Sequence, residues 1–313
     1  MWVRVAPGTQ YFKNSRTQEL KNSRTQELKN SRTQELKNSR TQELKNSRTQ
    51  ELKNSKYRGC RIWGMIEMDR DPAFGEVKEK LKRLNIEAIL FDLDDTLIYT
   101  SEIFILFMEK YSRVVGEKIG VGAMEMMLAL QAINDEEYKT MGVNPKRWEA
   151  VVEKLVVKFS HGKKEILENL DILKTIYAVE PRMRTGVRTM LEILKESGIK
   201  LGLVTHANVE WTEFKLNRLG LWDYFDQVII VDENGHKKAD DWERGMERME
   251  VEPEKCLVVG DSLGGDVRPG DELGARTIYL PSPWSVYRHG EVPGKTVVIS
   301  EIFELLAALD RLE

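Results

Sequence analysis

The sequence predicts an α/β protein: a parallel sheet core with an inserted α-helical unit, preceded by a repeat-bearing tail. Three observations predict it. Short apolar strands recur between Ala88 and Leu280 with helix-length amphipathic segments between them, and strands joined by helical crossovers pair in parallel. Four of these strands run at once into residues with reactive side chains, as expected where open α/β sheets bind ligands beyond their strand ends. After the first strand the chain leaves the strand rhythm for some eighty residues that keep helical spacing only.

Asp71-Pro72 has the form of an N-cap and first helical position, with Phe74, Val77, Leu81 and Leu84 at helical spacing behind it. Ala88–Phe91 is the first strand. Within the excursion, Ile103–Met108 and Met124–Leu130 are dense apolar runs, expected as helices buried between neighbours. Trp148, Val151, Val152, Leu155, Val156 and Phe159 mark one amphipathic helix, and Ile166, Leu167, Leu170 and Leu173 another. Met124, Met126 and Met127 fit a bundle core better than a ligand surface. After Pro181 the alternation resumes. Helix 187–197 ends at Gly198, strand 200–205 follows, and helix 209–219 stops at Gly220. Strand 227–231, helix 242–249, strand 256–260, a short helix and strand 277–280 come next. Residues 297–299 and an amphipathic helix 302–312 close the chain.

The N-terminal part is of another kind. From Lys13 to Leu52 the octapeptide KNSRTQEL occurs five times without variation, with a truncated copy at Lys53–Ser55. Its single large apolar residue (Leu20, Leu28, Leu36, Leu44, Leu52) advances by about 80° per copy on a helix, so no apolar face forms. Neither a coiled-coil seam nor a solenoid repeat fits. Residues 1–64 are therefore expected to be a solvated, disordered tail. The domain reading is a core of 65–98 and 182–313 with a helical cap at 99–181. The tail holds fifteen Lys and Arg against five Glu, whereas the whole chain is at −3. A basic arm can bind nucleic acid, but only Tyr11 and Phe12 accompany the repeats as stacking partners, which disfavours that class. No apolar stretch approaches a membrane span, the first residues do not form a signal peptide, and Cys60 and Cys256 are too few for a disulfide framework. A cytoplasmic protein is expected, with Cys256 a buried thiol. The pattern specifies no oligomer.

The chemistry lies in four segments. FDLDDTL at 91–97 puts Asp92 and Asp94 at the end of an apolar strand, with Thr96 after them. Two acids there suit one carboxylate attacking an electrophile, a second moving a proton, and a hard divalent ion between them. LVTHAN at 203–208 sets Thr205 at a strand end before helix amides, a cradle for phosphate oxygens. GHKKAD at 235–240 supplies Lys237 and Lys238. VVGDSLGGD at 258–266 places Asp261 at a strand end and Asp266 beyond a glycine-rich turn, so that Asp92, Asp261 and Asp266 offer the oxygen ligands Mg²⁺ prefers. Each has a plainer reading, as a helix cap, a solvated loop or an Asx-turn. Four in succession do not.

In order and spacing these motifs resemble those of the haloacid dehalogenase superfamily, from about Ile86 to Leu280. The resemblance implies a Rossmann-like core and a C1-type cap closing over the substrate. It implies Asp92 as nucleophile and Asp94 as general acid/base that also binds Mg²⁺ through its main-chain carbonyl. Thr205 would hydrogen-bond the transferring phosphoryl group. Lys238 is the better match for the third-motif lysine and Lys237 the alternative; the usual proline after that lysine is replaced by Ala239. Asp261 and Asp266 match the metal-binding acids. His206 could touch the substrate, or equally face solvent or cap a helix, and Trp284 and His289 are assigned no chemistry.

A dehalogenase has no alkoxide to protonate, so the acid at Asp94 favours phosphoryl transfer. The expected activity is a Mg²⁺-dependent phosphomonoesterase for a small soluble phosphorylated metabolite, working through an aspartyl phosphate. The alternatives are a phosphomutase with the same motifs and, in another class, a non-catalytic binding or scaffold protein with a basic arm.

Overall fold

The computed structural model describes residues 72–233 and 235–312. The repeat tail at 1–64 and the expected cap Asp71 lie outside the described residues.

Helix α1 (Pro72–Arg83) buries Val77 and Leu81 and leads into β1 (Ala88–Phe91). The chain leaves the sheet through a two-residue strand, β2 (Ile98–Tyr99), and five helices follow: α2 (Ser101–Ile119), α3 (Ala123–Met141), α4 (Arg147–Lys158), α5 (Lys163–Glu168) and α6 (Leu170–Lys174). It returns through β3 (Arg182–Met183), antiparallel to β2 with Ile98 opposite Met183. Then α7 (Val187–Glu196), β4 (Lys200–His206), α8 (Val209–Leu219), β5 (Gln227–Val231), α9 (Ala239–Arg248) and β6 (Cys256–Gly260) alternate. A single π-helical turn at Leu263–Val267, α10 (Arg268–Glu272), β7 (Arg276–Tyr279), β8 (Val297–Val298) and α11 (Leu305–Ala308) complete the fold.

The sheet order is β5-β4-β1-β6-β7-β8, with every pairing parallel. Strand β1 is central and buried at all four positions, as a parallel strand covered on both faces must be. Its side chains divide by the two-residue period. Ile89 and Phe91 join the core with α1, α7 and the C-terminal turns, whereas Ala88 and Leu90 join Trp242 and Met246 of α9. Strand β4 leaves β1 on one side and β6 on the other, so the order reverses at β1. That switch point places the end of β1 in the crevice.

Helices α2–α6 share a separate apolar cluster built on Met108, Tyr111, Val115, Met126, Leu130, Trp148, Val151, Leu155 and Ile166. Their burial is one-sided: Leu106, Met124 and Leu128 are exposed, so the dense apolar runs are not enclosed all round as expected. The helix expected across 166–173 is two, α5 and α6, broken at Asn169, whose side-chain amide donates to the Glu165 carbonyl. The last segment, 302–312, is three short turns rather than one helix. No described helix is long and apolar enough to cross a membrane. Cys256 is buried, and burial raises its thiol to about 12.

Candidate active site

Beyond Phe91 the ladder continues for one residue: the Asp92 N–H donates to the Val259 carbonyl at 2.9 Å. That bond fixes a buried carboxylate at the strand end. The chain then turns sharply, with Asp95 at φ 58, a conformation an Asp tolerates better than most residues. The Asp95 carboxylate accepts the Thr100 and Ser101 N–H groups at 3.0 and 2.9 Å, securing the start of α2. Asp94 diverges from Asp92. Its Oδ1 accepts from Thr100 Oγ1 and from Lys215 Nζ, both at 2.5 Å. Lys215 is wholly buried, with its Nζ 4.2 Å from the Trp211 ring centroid.

Strand β6 delivers Asp261, and the π turn brings Asp266 back underneath it. The Asp266 Oδ2 accepts the Ser262 N–H at 2.9 Å, and Ser262 Oγ accepts the Gly265 N–H at 3.0 Å. Gly260 is required here by close approach. A Cβ on it would lie 2.3 Å from Asp266 Oδ2.

The lysine that joins these acids is Lys237, and the match with Lys238 is corrected on this point. Lys237 Nζ stands 2.6 Å from Asp92 Oδ1, 2.6 Å from Asp266 Oδ1 and 3.1 Å from the Val204 carbonyl. Lys238 is exposed, extended at φ −133, and caps α9 with its N–H donating to Asp241 Oδ2. In extended chain neighbouring side chains point to opposite sides, so when Lys237 faces the crevice Lys238 faces away.

Thr205 is fully buried near the end of β4, and among the described residues neither its Oγ1 nor Asp92 Oδ2 has a hydrogen-bond partner. Buried polar groups are normally satisfied, and two unmatched oxygens at neighbouring strand ends leave room for a ligand's atoms to pair with them. Asp92, Asp261 and Asp266 can each offer an oxygen within 4.8 Å of the others. These are hard donors that fit Mg²⁺. Burial, more than Asp266 and against the pull of Lys237, lifts the Asp92 carboxyl to about 7. Burial and the two neighbouring acids hold Asp261 well above the usual carboxylate range. For Lys237 burial opposes the charge, but Asp266 and Asp92 outweigh it and its value is raised. A cation among these crowded acids would favour their ionised forms.

His206 ends β4 against the same crevice. Burial, then Lys237 and His236, lower it to about 4, so it is neutral at physiological pH. A cavity of ≈ 390 Å³ opens above these groups. The sheet ends supply Asp92, Asp94, His206, Lys237, Asp261 and Asp266; the helical insert supplies Phe104, Asn134, Tyr138, Arg147 and Tyr177. Trp284 and His289, assigned no chemistry from sequence, also line it.

The profile of the haloacid dehalogenase-like hydrolase family matches residues 86–274. The chain belongs to that family. Among curated relatives, it is 30% identical over 200 residues to the glyceraldehyde 3-phosphate phosphatase of Methanocaldococcus jannaschii, covering 62% of this chain and 85% of that protein. It is 32% identical over 200 residues to the phosphorylated carbohydrates phosphatase of Thermotoga maritima, covering 62% and 84%. The haloacid dehalogenase-like hydrolase of Xanthomonas campestris superposes with a TM-score of 0.58 at 20% identity, over 72% of this chain and 91% of that one. That likeness establishes the haloacid dehalogenase-like fold.

Several residues of the site escaped the motif reading. Lys215 carries a signal: it lies four residues after Trp211 on the buried face of α8, where a lysine is out of place. Asp95 is hidden inside the DD pair. Arg147 and the aromatic residues of the insert carry no spacing that separates crevice from core.

Proposed function

We propose that this hydrolase is a Mg²⁺-dependent phosphomonoesterase acting on a small soluble phosphorylated metabolite. The observation that carries the reading is the division of labour among the acids. Asp92, Asp261 and Asp266 gather around one point, whereas Asp94 is held apart by Thr100 and Lys215. A carboxylate outside the cation cluster is free to handle a proton, which an alkoxide leaving group needs.

In this mechanism Asp92 Oδ2 attacks phosphorus in line as Asp94 protonates the departing oxygen. Asp94 then takes a proton from water, which hydrolyses the aspartyl phosphate, frees inorganic phosphate and restores Asp92. Thr205 Oγ1 donates to a phosphoryl oxygen, and Lys237 offsets the negative charge from beside Asp92 and Asp266. Asp92, Asp261 and Asp266, with the Asp94 main-chain carbonyl, would hold Mg²⁺. Bound there, the ion supplies the positive charge that lets a carboxylate approach a phosphate. The insert at 99–181 serves as a cap that excludes water and contacts the leaving group. The names of the curated relatives support small phosphorylated substrates. Residues 1–64 take no part in the reaction. A screen of phosphate esters with Mg²⁺ tests the reading. Release of inorganic phosphate that disappears in Asp92→Asn is expected, and a wild-type chain that hydrolyses none of them contradicts it.

A further inference from the structure

Arg147 is the first residue of α4 and is 4% exposed, yet it lines the same cavity as Asp92 and Lys237. Its Nε donates to Asn134 Oδ1 at 3.0 Å and its Nη1 to the Gly142 carbonyl. Its guanidinium carbon lies 5.5 Å from the Tyr138 ring centroid and 5.6 Å from that of Trp148. Every one of these partners is neutral. Among the described residues no carboxylate comes within 4.0 Å of the guanidinium; Asp135 lines the cavity but makes no ion pair with it. No hydrogen bond from Nη2 is found among the described residues.

A buried guanidinium without a counter-charge is costly, and aromatic faces offset only part of that cost. The Arg147 charge acts on Asp135 without an ion pair, and Asp92, Asp94 and Asp266 of the same cavity pair with Lys237 and Lys215 instead. His206 and His236 share the cavity with Arg147, and the His206 ring lies 6.0 Å from that of His236. Arg147 is also fixed in place. Its bond to the Gly142 carbonyl anchors the turn that meets the core, where Val143 N–H donates to the Glu233 carbonyl at 3.1 Å. Gly142 itself packs so tightly there that a Cβ would lie 2.6 Å from the Glu233 oxygen. The cation is thus held in register with the catalytic floor, on the wall of the same cavity.

We propose that Arg147 recognises a second anionic group, a carboxylate or a phosphate, carried on the leaving-group side of the ester. The inference rests on the phosphomonoesterase reading and deepens it. A planar fork with free donors matches either oxyanion, and the cavity exceeds what a lone phosphoryl group fills.

The test compares three probes on the full chain with Mg²⁺: 3-phosphoglycerate, glycerol 1-phosphate (the same skeleton with hydroxymethyl in place of carboxylate), and glycerol 1,3-bisphosphate. A charge-assisted hydrogen bond made only by the probes with a second anionic group predicts a kcat/KM at least about tenfold above that of glycerol 1-phosphate for one or both of them. The two anionic arms tell carboxylate from phosphate. Arg147→Gln should bring that ratio close to one, chiefly through KM, while Arg147→Lys keeps part of it by retaining the charge without the fork. A wild-type ratio at or below one, or a ratio that survives in both variants, overturns the proposal. So does an equal loss on all three probes, which means a structural role. Absence of phosphate release by the wild-type chain from these probes and from the wider ester screen is a different result: it removes the phosphomonoesterase reading itself, and this proposal with it.

Discussion

Replacing Gly260 by alanine probes the acid cluster without touching a carboxylate. The new Cβ would fall 2.3, 2.4 and 2.5 Å from Oδ2, Cγ and Cβ of Asp266, whereas ordinary contacts begin about 1 Å further out. Gly260 is in the fully buried strand β6 and cannot recede, so Asp266 must move. Asp266 is itself fully buried and tied to the Ser262 N–H and to Lys237. Forcing extra volume into such a site costs about 1–3 kcal/mol, which for a domain of this size lowers Tm by roughly 2–10 °C. Displacing an acid proposed to hold Mg²⁺ should also raise the Mg²⁺ concentration for half-maximal phosphate release by about 10–100-fold, as for disturbed support of a ligand. Thermal melts and Mg²⁺ titrations measure both. Gly264→Ala, in the same turn but with nothing within 4 Å of its Cβ, should leave Tm within about 1 °C. A Gly260→Ala protein with wild-type Tm and wild-type Mg²⁺ dependence would refute the packing of Asp266 against β6.

Asp94→Asn should lower kcat by about 10²–10⁴-fold while phosphate esters still bind; near-normal turnover would remove Asp94 from the chemistry. Lys215→Met removes the buried cation beside Asp94 and should lower kcat more than it raises KM, with Lys215→Arg recovering part of the loss; wild-type kinetics in Lys215→Met would mean the pair is incidental. Without metal, Asp92 titrates at about 7 against an ordinary 3.8, so the folded state holds the extra proton between those values. The stability it contributes is present below about pH 4 and lost as pH rises through 7. In chelator, the Tm of Asp92→Asn should therefore gain on that of the wild type across that window, and Mg²⁺ should reverse the trend; a constant difference contradicts the assignment. A chain beginning at Met65 should keep kcat/KM within about twofold, because one leucine in eight residues cannot offset the entropy of ordering the repeats; a larger loss would give them a role.

The sheet was legible because β1 and β6 are buried throughout and appear as apolar runs, and β4 and β5 keep apolar centres between helical segments. The two-residue strands β2 and β3 have too little length for any period, so the stalk into the insert was invisible. Asp92, Asp261 and Asp266 could be placed at one sheet edge because strand ends in a parallel sheet share an edge, and the structure brings them together. Choosing between adjacent lysines could not be done by spacing. It depends on which side of an extended segment faces the crevice, and Lys237 does. Lys215 and Arg147 come from helices packed by tertiary contacts. The meaning of Lys215 lies in its pairing with Asp94, and that of Arg147 in having no ion pair among the described residues, neither of which a linear pattern records.

The central claim is that Asp92 becomes covalently phosphorylated during turnover. Acid quenching of the protein during hydrolysis of a phosphate ester with Mg²⁺, followed by mass spectrometry of the peptide containing Asp92, measures this directly. One added phosphoryl group on Asp92, absent in Asp92→Asn and accompanied by loss of phosphate release, is the predicted result. Full phosphate release by Asp92→Asn, or a phosphoryl group on another residue, would contradict the account.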